Sequence, residues 1–150
     1  MQNLVNTTDL DRFLNDTGFE LHNLNPQFVK QKNWGFKYRL LKTREICIDV
    51  LWIHAGGYSS WHNHQYLRNR FFVNQGCIRL EMELTPGRIT EKILGPEEDI
   101  RFCDINPPYK HRFVAMEETE VIEIASIQNE LWDEADIHRD DIGGINKGLI

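Results

Sequence analysis

The sequence predicts an all-β sandwich or barrel behind a short N-terminal helix. Three observations carry this fold class. From Trp34 onward, apolar residues recur in short runs or at every second position, the period of a strand. The runs lie roughly 8–12 residues apart. Turns rich in glycine and proline separate them, as at Thr85-Pro86-Gly87 and Gly95-Pro96-Glu97-Glu98.

Residues 7–18 read as the helix. Thr7 or Thr8 can cap it, Leu10, Phe13 and Leu14 form one apolar stripe, and Gly18 ends it. Asn25-Pro26 breaks the chain. Residues 34–41 and 46–53 are β-rich runs separated by the charged stretch 42–45, and Ala55-Gly56-Gly57 is a turn. Residues 71–73 and 77–84 flank Gly76. In the second run Ile78, Leu80, Met82 and Leu84 face one way, and Arg79, Glu81 and Glu83 the other. Residues 89–94 and 100–105 follow, Pro107-Pro108 interrupts, and residues 113–114 and 121–127 complete the series. Residues 130–135 then read as a helical turn and residues 143–148 as a loose end.

Composition narrows the function classes. With 150 residues, 41% hydrophobic and 27% charged, the chain can bury a core without disulfide staples. The net charge is −6 and the acidic residues are dispersed, which predicts no nucleic-acid partner and no polybasic membrane contact. Cys47, Cys77 and Cys103 are odd in number, widely spaced and without a CxxC pair, so all three read as reduced core residues. The first residues carry no positive n-region or apolar h-region, and no stretch nears the roughly 20 apolar residues that span a bilayer. A cytoplasmic protein is expected.

The chemistry concentrates between Gly56 and Gly76. His62 and His64 are two apart, so on a strand both imidazoles enter one space. Neutral imidazole is a preferred ligand for zinc, iron, nickel or copper. The third ligand must come from elsewhere, and His111, opening the run Arg112-Phe113-Val114, is the candidate. His22, His54 and His138 have no partner at such spacing and read as surface or structural. Trp61 should face away from the histidines and pack on the outer layer or a dimer partner.

The order Gly56, five residues, His62, one residue, His64, four residues, Asn69, six residues, Gly76 resembles the first motif of the cupin superfamily. The usual glutamate is replaced by Asn69. His111 and Pro107 resemble the second motif, in which Pro108 replaces a glycine and Ala115 an asparagine. A narrower likeness is to the cupin domain of type II phosphomannose isomerases and mannose-1-phosphate guanylyltransferases, carried by Asn33-Trp34-Gly35-Phe36 and by residues 136–143. The resemblance implies a cupin double-stranded β-helix, or jelly-roll, barrel. It is expected as a single domain over residues 1–150, with its barrel core at about residues 33–127.

The resemblance further implies a divalent metal (zinc, nickel, manganese or iron) beside a site for a small, anionic, sugar-phosphate-like ligand. The metal would rest on His62, His64 and His111, with Asn69 as an additional candidate. With asparagine at that position three outcomes stay open: three histidines plus water, iron in a three-histidine site like that of cupin thiol dioxygenases, or a pocket working without metal. Arg68, Arg70 and Arg112 flank the ligand positions and are candidates for anion binding, and Lys110 and Tyr109 for acid–base work. A metal-dependent sugar isomerase or epimerase is the leading expectation. A non-catalytic module binding a nucleotide sugar or similar metabolite, and an iron dioxygenase, are the alternatives. Cupins pair through barrel edges, so a homodimer is expected.

Overall fold

A computed structural model of the chain describes residues 7–19, 25–127 and 135–150. Helix α1 spans Thr7–Thr17 and stops at Gly18, whose φ of 69° no other residue type adopts as readily. The strands are β1 (Val29–Lys32), β2 (Gly35–Lys42), β3 (Ile46–Ile53), β4 (Gly57–Tyr58), β5 (His62–Asn63), β6 (Leu67–Gln75), β7 (Ile78–Thr85), β8 (Arg88–Leu94), β9 (Phe102–Ile105), β10 (Lys110–Ala115), β11 (Thr119–Ile127), β12 (His138–Arg139) and β13 (Gly144–Ile145). Every pairing among them is antiparallel.

Two sheets face each other. The first runs β1-β2-β3-β11-β6-β9. In the second, β10 is central: one edge pairs with β7, which carries β8, and the other pairs with the short strands β5 and β4, which carry β12 and β13. Inward residues of both sheets form the main core, among them Leu51, Ile53, Phe71, Val73, Val121, Ile78, Leu80 and Phe113. Alternation put Ile78, Leu80 and Met82 on that face, and they are buried. Leu84 shares their parity but lies 43% exposed at the strand end.

The outer face of the first sheet is closed by α1. Leu10 and Phe13 pack on Phe36, Val50 and Trp52, forming a second apolar layer. The Trp52 indole is fully buried and donates to Glu120 Oε2 at 2.8 Å, so its polar atom is satisfied.

Several expectations change. β1, β4, β12 and β13 were invisible because runs of two to four mixed residues show no period, and the strand expected through His62 and His64 is cut short as β5. The sheets therefore extend beyond residues 33–127 at both ends. The supposed loose end is ordered: Gly144 and Ile145 pair with Tyr58 and Gly57, and Asn146 N donates to Gly56 O at 2.9 Å. Cys47 and Cys103 are free and buried, but Cys77 is only half-buried at a turn. The expected turn at 130–135 falls mostly outside the described residues, as does His22.

Gly76, the last position of the motif, has φ of 81°, and a Cβ there would lie 2.5 Å from Thr119 Oγ1 and 2.6 Å from Glu118 O. A side chain is excluded both by conformation and by space. Gly76→Ala should lower the unfolding free energy by at least about 2 kcal/mol, measured by urea denaturation. An unchanged midpoint would show that the turn can relax.

Candidate metal centre

Three buried imidazoles converge at the open end of the space between the sheets. His62 lies on β5 directly opposite His111 on β10. Their ring centroids are 4.4 Å apart, and His64 lies 5.1 Å from His62 and 5.7 Å from His111. One ligand nitrogen from each falls within 4.8 Å of the other two, so the trio could hold a metal ion. Strand alternation does not explain His64, because β5 ends at Asn63. The C-terminal segment holds it instead: its Nδ1 bonds to the Asp136 carbonyl at 2.5 Å.

The same arrangement recurs at each ring. His62 Nδ1 lies 2.7 Å from Ser60 O, and His111 Nδ1 lies 3.0 Å from Tyr109 O. A carbonyl oxygen can only accept, so each Nδ1 carries the hydrogen and each Nε2 presents its lone pair. Backbone carbonyls on the far nitrogen orient imidazoles in this way in metal sites. Burial, the largest effect, lowers the His62 pKa from 6.5 to about 4, with the Ser60 hydrogen bond opposing it and His64 adding to it. His111 is pushed well below its usual value, first by burial and then by His62. Burial therefore favours the neutral form of His62 and His111, the form that binds metal.

Asn69 on β6 completes the cluster. Its Nδ2 donates toward His64 Nε2 at 3.2 Å, His111 Nε2 at 3.5 Å and Glu123 Oε1 at 3.4 Å. Its Oδ1 is buried without a hydrogen-bond partner. An amide nitrogen ringed by acceptors, with an orphaned oxygen behind it, occupies a place suited to a cation. The residues fit a metal ion on that ground.

A cavity of about 570 Å³ opens beside the histidines. Apolar Trp34, Leu51, Phe71 and Phe113 line its floor, and charged groups line the rest: Lys30, Lys32, Lys37, Arg39 and Arg139 against Asp49, Glu123 and Asp136. Asp49 accepts from Arg39 at 2.6 Å and Lys37 at 2.7 Å, and Lys37 reaches Glu123 at 3.5 Å. Burial alone would lower Lys37, but Glu123 and Asp49 hold its pKa above the usual value. Asp136 accepts from the backbone N–H groups of Gln65, Tyr66 and Leu67 at 2.8–3.1 Å. Burial opposes its ionisation, and those three donors keep its carboxyl below the usual range. Lys32 is lowered by burial and then by Lys37, Arg139 and Lys30.

The cations expected to bind the ligand are not among those lining the cavity. Arg68 and Arg70 flank the inward Asn69 and take the opposite face, where Arg70 pairs with Asp104 at 2.5 Å. Arg112 pairs with buried Glu81 at 2.6 Å and lies over Trp61 and Tyr58. Lys110 pairs with Asp140 at 2.6 Å, and Tyr109 is 40% exposed, so neither acid–base candidate is brought to the histidines, though the Tyr109 carbonyl is. The parity that placed His111 and Asn69 inward already placed their neighbours outward. His54, expected to be surface or structural, packs on Phe13 and Phe36 and bonds Glu118. His138 is exposed on β12.

Sequence reasoning missed Lys37, Asp49, Glu123, Asp136 and Arg139. A signal existed for three of them: Lys37, Asp49 and Glu123 are charges embedded in apolar strand runs. Asp136 and Arg139 belong to the closing segment that carried the narrower resemblance, and pairing of β12 with β5 brings that segment against His62.

No family model matches the sequence, and no curated protein matches it significantly. Solved structures do match the fold. The capsular polysaccharide assembling protein CapF of Staphylococcus aureus superposes with a TM-score of 0.63 at 19% identity, over 85% of this chain and 35% of its own. Oxalate decarboxylase of Bacillus subtilis superposes with a TM-score of 0.62 at 13% identity, over 75% of this chain and 29% of its own. A further structure of that decarboxylase, concerned with its Mn(II) centres, gives 0.61 at 10% identity, over 75% and 30%. The chain thus spans about a third of the length of these proteins. Both are cupin-fold proteins, and this chain has the cupin fold.

In the metal-free protein the buried histidines make stability depend on pH. The folded His62 pKa lies below the unfolded one, so the stability it protects is complete above pH 6.5. It is lost progressively as pH falls toward about 4. That loss should reach roughly 3 kcal/mol for His62 alone, read from urea midpoints between pH 7 and 4. A flat profile for wild type, or one unchanged in His62→Gln, would refute it.

Proposed function

We propose that this cupin binds a divalent metal on His62, His64 and His111 and takes a small anionic ligand, of sugar-phosphate or carboxylate kind, in the adjoining cavity. The observation that carries this reading is the carbonyl on every Nδ1, which commits all three Nε2 lone pairs to one place. A divalent metal there would act as a Lewis acid on an oxygen of the ligand. Zinc, nickel, manganese and iron all accept imidazole nitrogen.

The ligand's charge follows from the cavity. Five cations line it against three carboxylates, although the whole chain carries −6. Lys37 and Arg39 are offset by Asp49 and Glu123, and Asp136 is committed to backbone donors. Lys30, Lys32 and Arg139 are left as a positive rim, and Lys32, lowered first by burial and then by repulsion from Lys37, Arg139 and Lys30, marks a place where an anion gains. Ser59, Ser60 and Asn33 add neutral donors and acceptors suited to hydroxyl groups. Aldose–ketose isomerisation suits such a cavity, with a Lewis-acid position on one wall and an anion cradle on another. A homodimer belongs to this reading, and edge strand β8 presents Ile89 and Ile93 to solvent.

Protein purified without a histidine tag should retain about one transition metal per chain by elemental analysis, and His64→Ala should lose it. Metal-free wild type after incubation with zinc, nickel, manganese and iron would defeat the reading. Retained metal and ligand with no sugar-phosphate turnover would identify a binding module. Lys32→Met should weaken binding of a hexose phosphate about tenfold by calorimetry, the value of one charge-assisted contact. Undiminished affinity would place the anion elsewhere.

A further inference from the structure

The three carboxylates lining the cavity differ in what they have left to offer. Asp49 is 3% exposed and fully engaged: Arg39 reaches both oxygens, Lys37 pairs with Oδ2, and Cys47 Sγ lies at 3.7 Å. Both oxygens of Asp136 accept from backbone N–H groups. Glu123 has one ammonium, Lys37, at 3.5 Å from Oε2, and Lys37 sits closer to Asp49. Among the described residues its Oε1 meets no cation, and it lies against the Asn69 amide nitrogen, the atom that also faces His64 Nε2 and His111 Nε2. One donor thus gathers two imidazole lone pairs and a carboxylate oxygen, while the oxygen of the same amide is left without a partner.

This is the arrangement around a cation, with an amide nitrogen in the middle of it. The backbone explains how Glu123 arrives there. On β11, Ala125 is opposite Asn69 of β6, and Glu123, two residues away on the same face, is opposite Phe71. A carboxylate on the neighbouring strand is therefore one step deeper along the inner wall than the side chain at position 69.

We propose that Glu123 supplies the negative charge of the metal centre, taking from the adjacent strand the part that a carboxylate at position 69 would play. Asn69 lies between Glu123 and the histidines, and rotation of its amide about the terminal bond turns the orphaned Oδ1 toward a bound cation. The amide then accepts where it had donated. The inference rests on the three-histidine reading but adds a residue to it: an affinity-determining carboxylate that the histidine spacing does not reveal.

The test is calorimetric titration of zinc into chelator-stripped, untagged protein, with circular dichroism confirming the fold of each variant. Wild type should bind about one zinc, and Glu123→Gln should bind it 10- to 100-fold more weakly. Introducing Asn69→Glu into the Glu123→Gln background should restore most of that loss, which a purely structural role for Glu123 as the Lys37 counter-ion would not produce. Equal affinity of Glu123→Gln and wild type, with His64→Ala abolishing binding, would overturn the proposal and leave the three-histidine site standing. Failure of the double variant to recover affinity would overturn the replacement of one carboxylate by the other. Absence of zinc binding in wild type would remove both readings, and so differs from either result.

Discussion

Three backbone carbonyls, those of Ser60, Tyr109 and Asp136, decide what the histidines can do. An imidazole has two nitrogens, and its chemistry depends on which one carries the hydrogen. By accepting from each Nδ1, these carbonyls turn three Nε2 lone pairs toward one place and hold the rings against rotation. They come from three separate parts of the chain: the turn before β5, the turn before β10, and the segment leading to β12. The last is the most telling. The strip from Asp136 to Ile145 is pinned by β12 on β5 and β13 on β4, and Asp136 closes it by gathering three N–H groups of the segment after His64.

Burial gives that arrangement its chemical sense. A histidine in water near neutral pH is partly protonated and has no lone pair to give in that state. Between two packed sheets the charged form loses its hydration, and the neutral ring is what remains. Four charged groups of the cavity offset the same penalty by pairing. Lys37 between Asp49 and Glu123, and Arg39 on Asp49, form a chain of ions across β2, β3 and β11 in which each charge faces its opposite. The inner wall therefore grades from apolar residues such as Ile53, Val73 and Val121 in the depth to ions and imidazoles at the mouth.

Much of this was legible from the sequence, for reasons that are local. Ile78, Leu80 and Met82 alternate because one face of β7 is buried, and Gly76 stands where a turn of positive φ meets Thr119. The spacing of His62, His64 and His111 marked the centre because the resemblance attached a geometry to it. The same parity argument, carried one residue either side, would have turned Arg68, Arg70, Lys110 and Arg112 outward, away from the cavity. Cations beside a ligand in sequence point away from it on a strand.

By itself, then, the amino-acid order determined the β class, the longer strands and the pairing of His62 with His64, since each depends on residues within a few positions of one another, while His111 was marked by the resemblance. Tertiary structure decided which charges share the cavity. Lys37, Asp49, Glu123 and Arg139 lie on four strands, and they meet because register across β2, β3 and β11, and the return of β12 onto β5, align them. Strand register is set by the burial of a whole face at once. A pattern read one strand at a time cannot contain it, and so the site's charge, unlike its histidines, is a property of the assembled sheets.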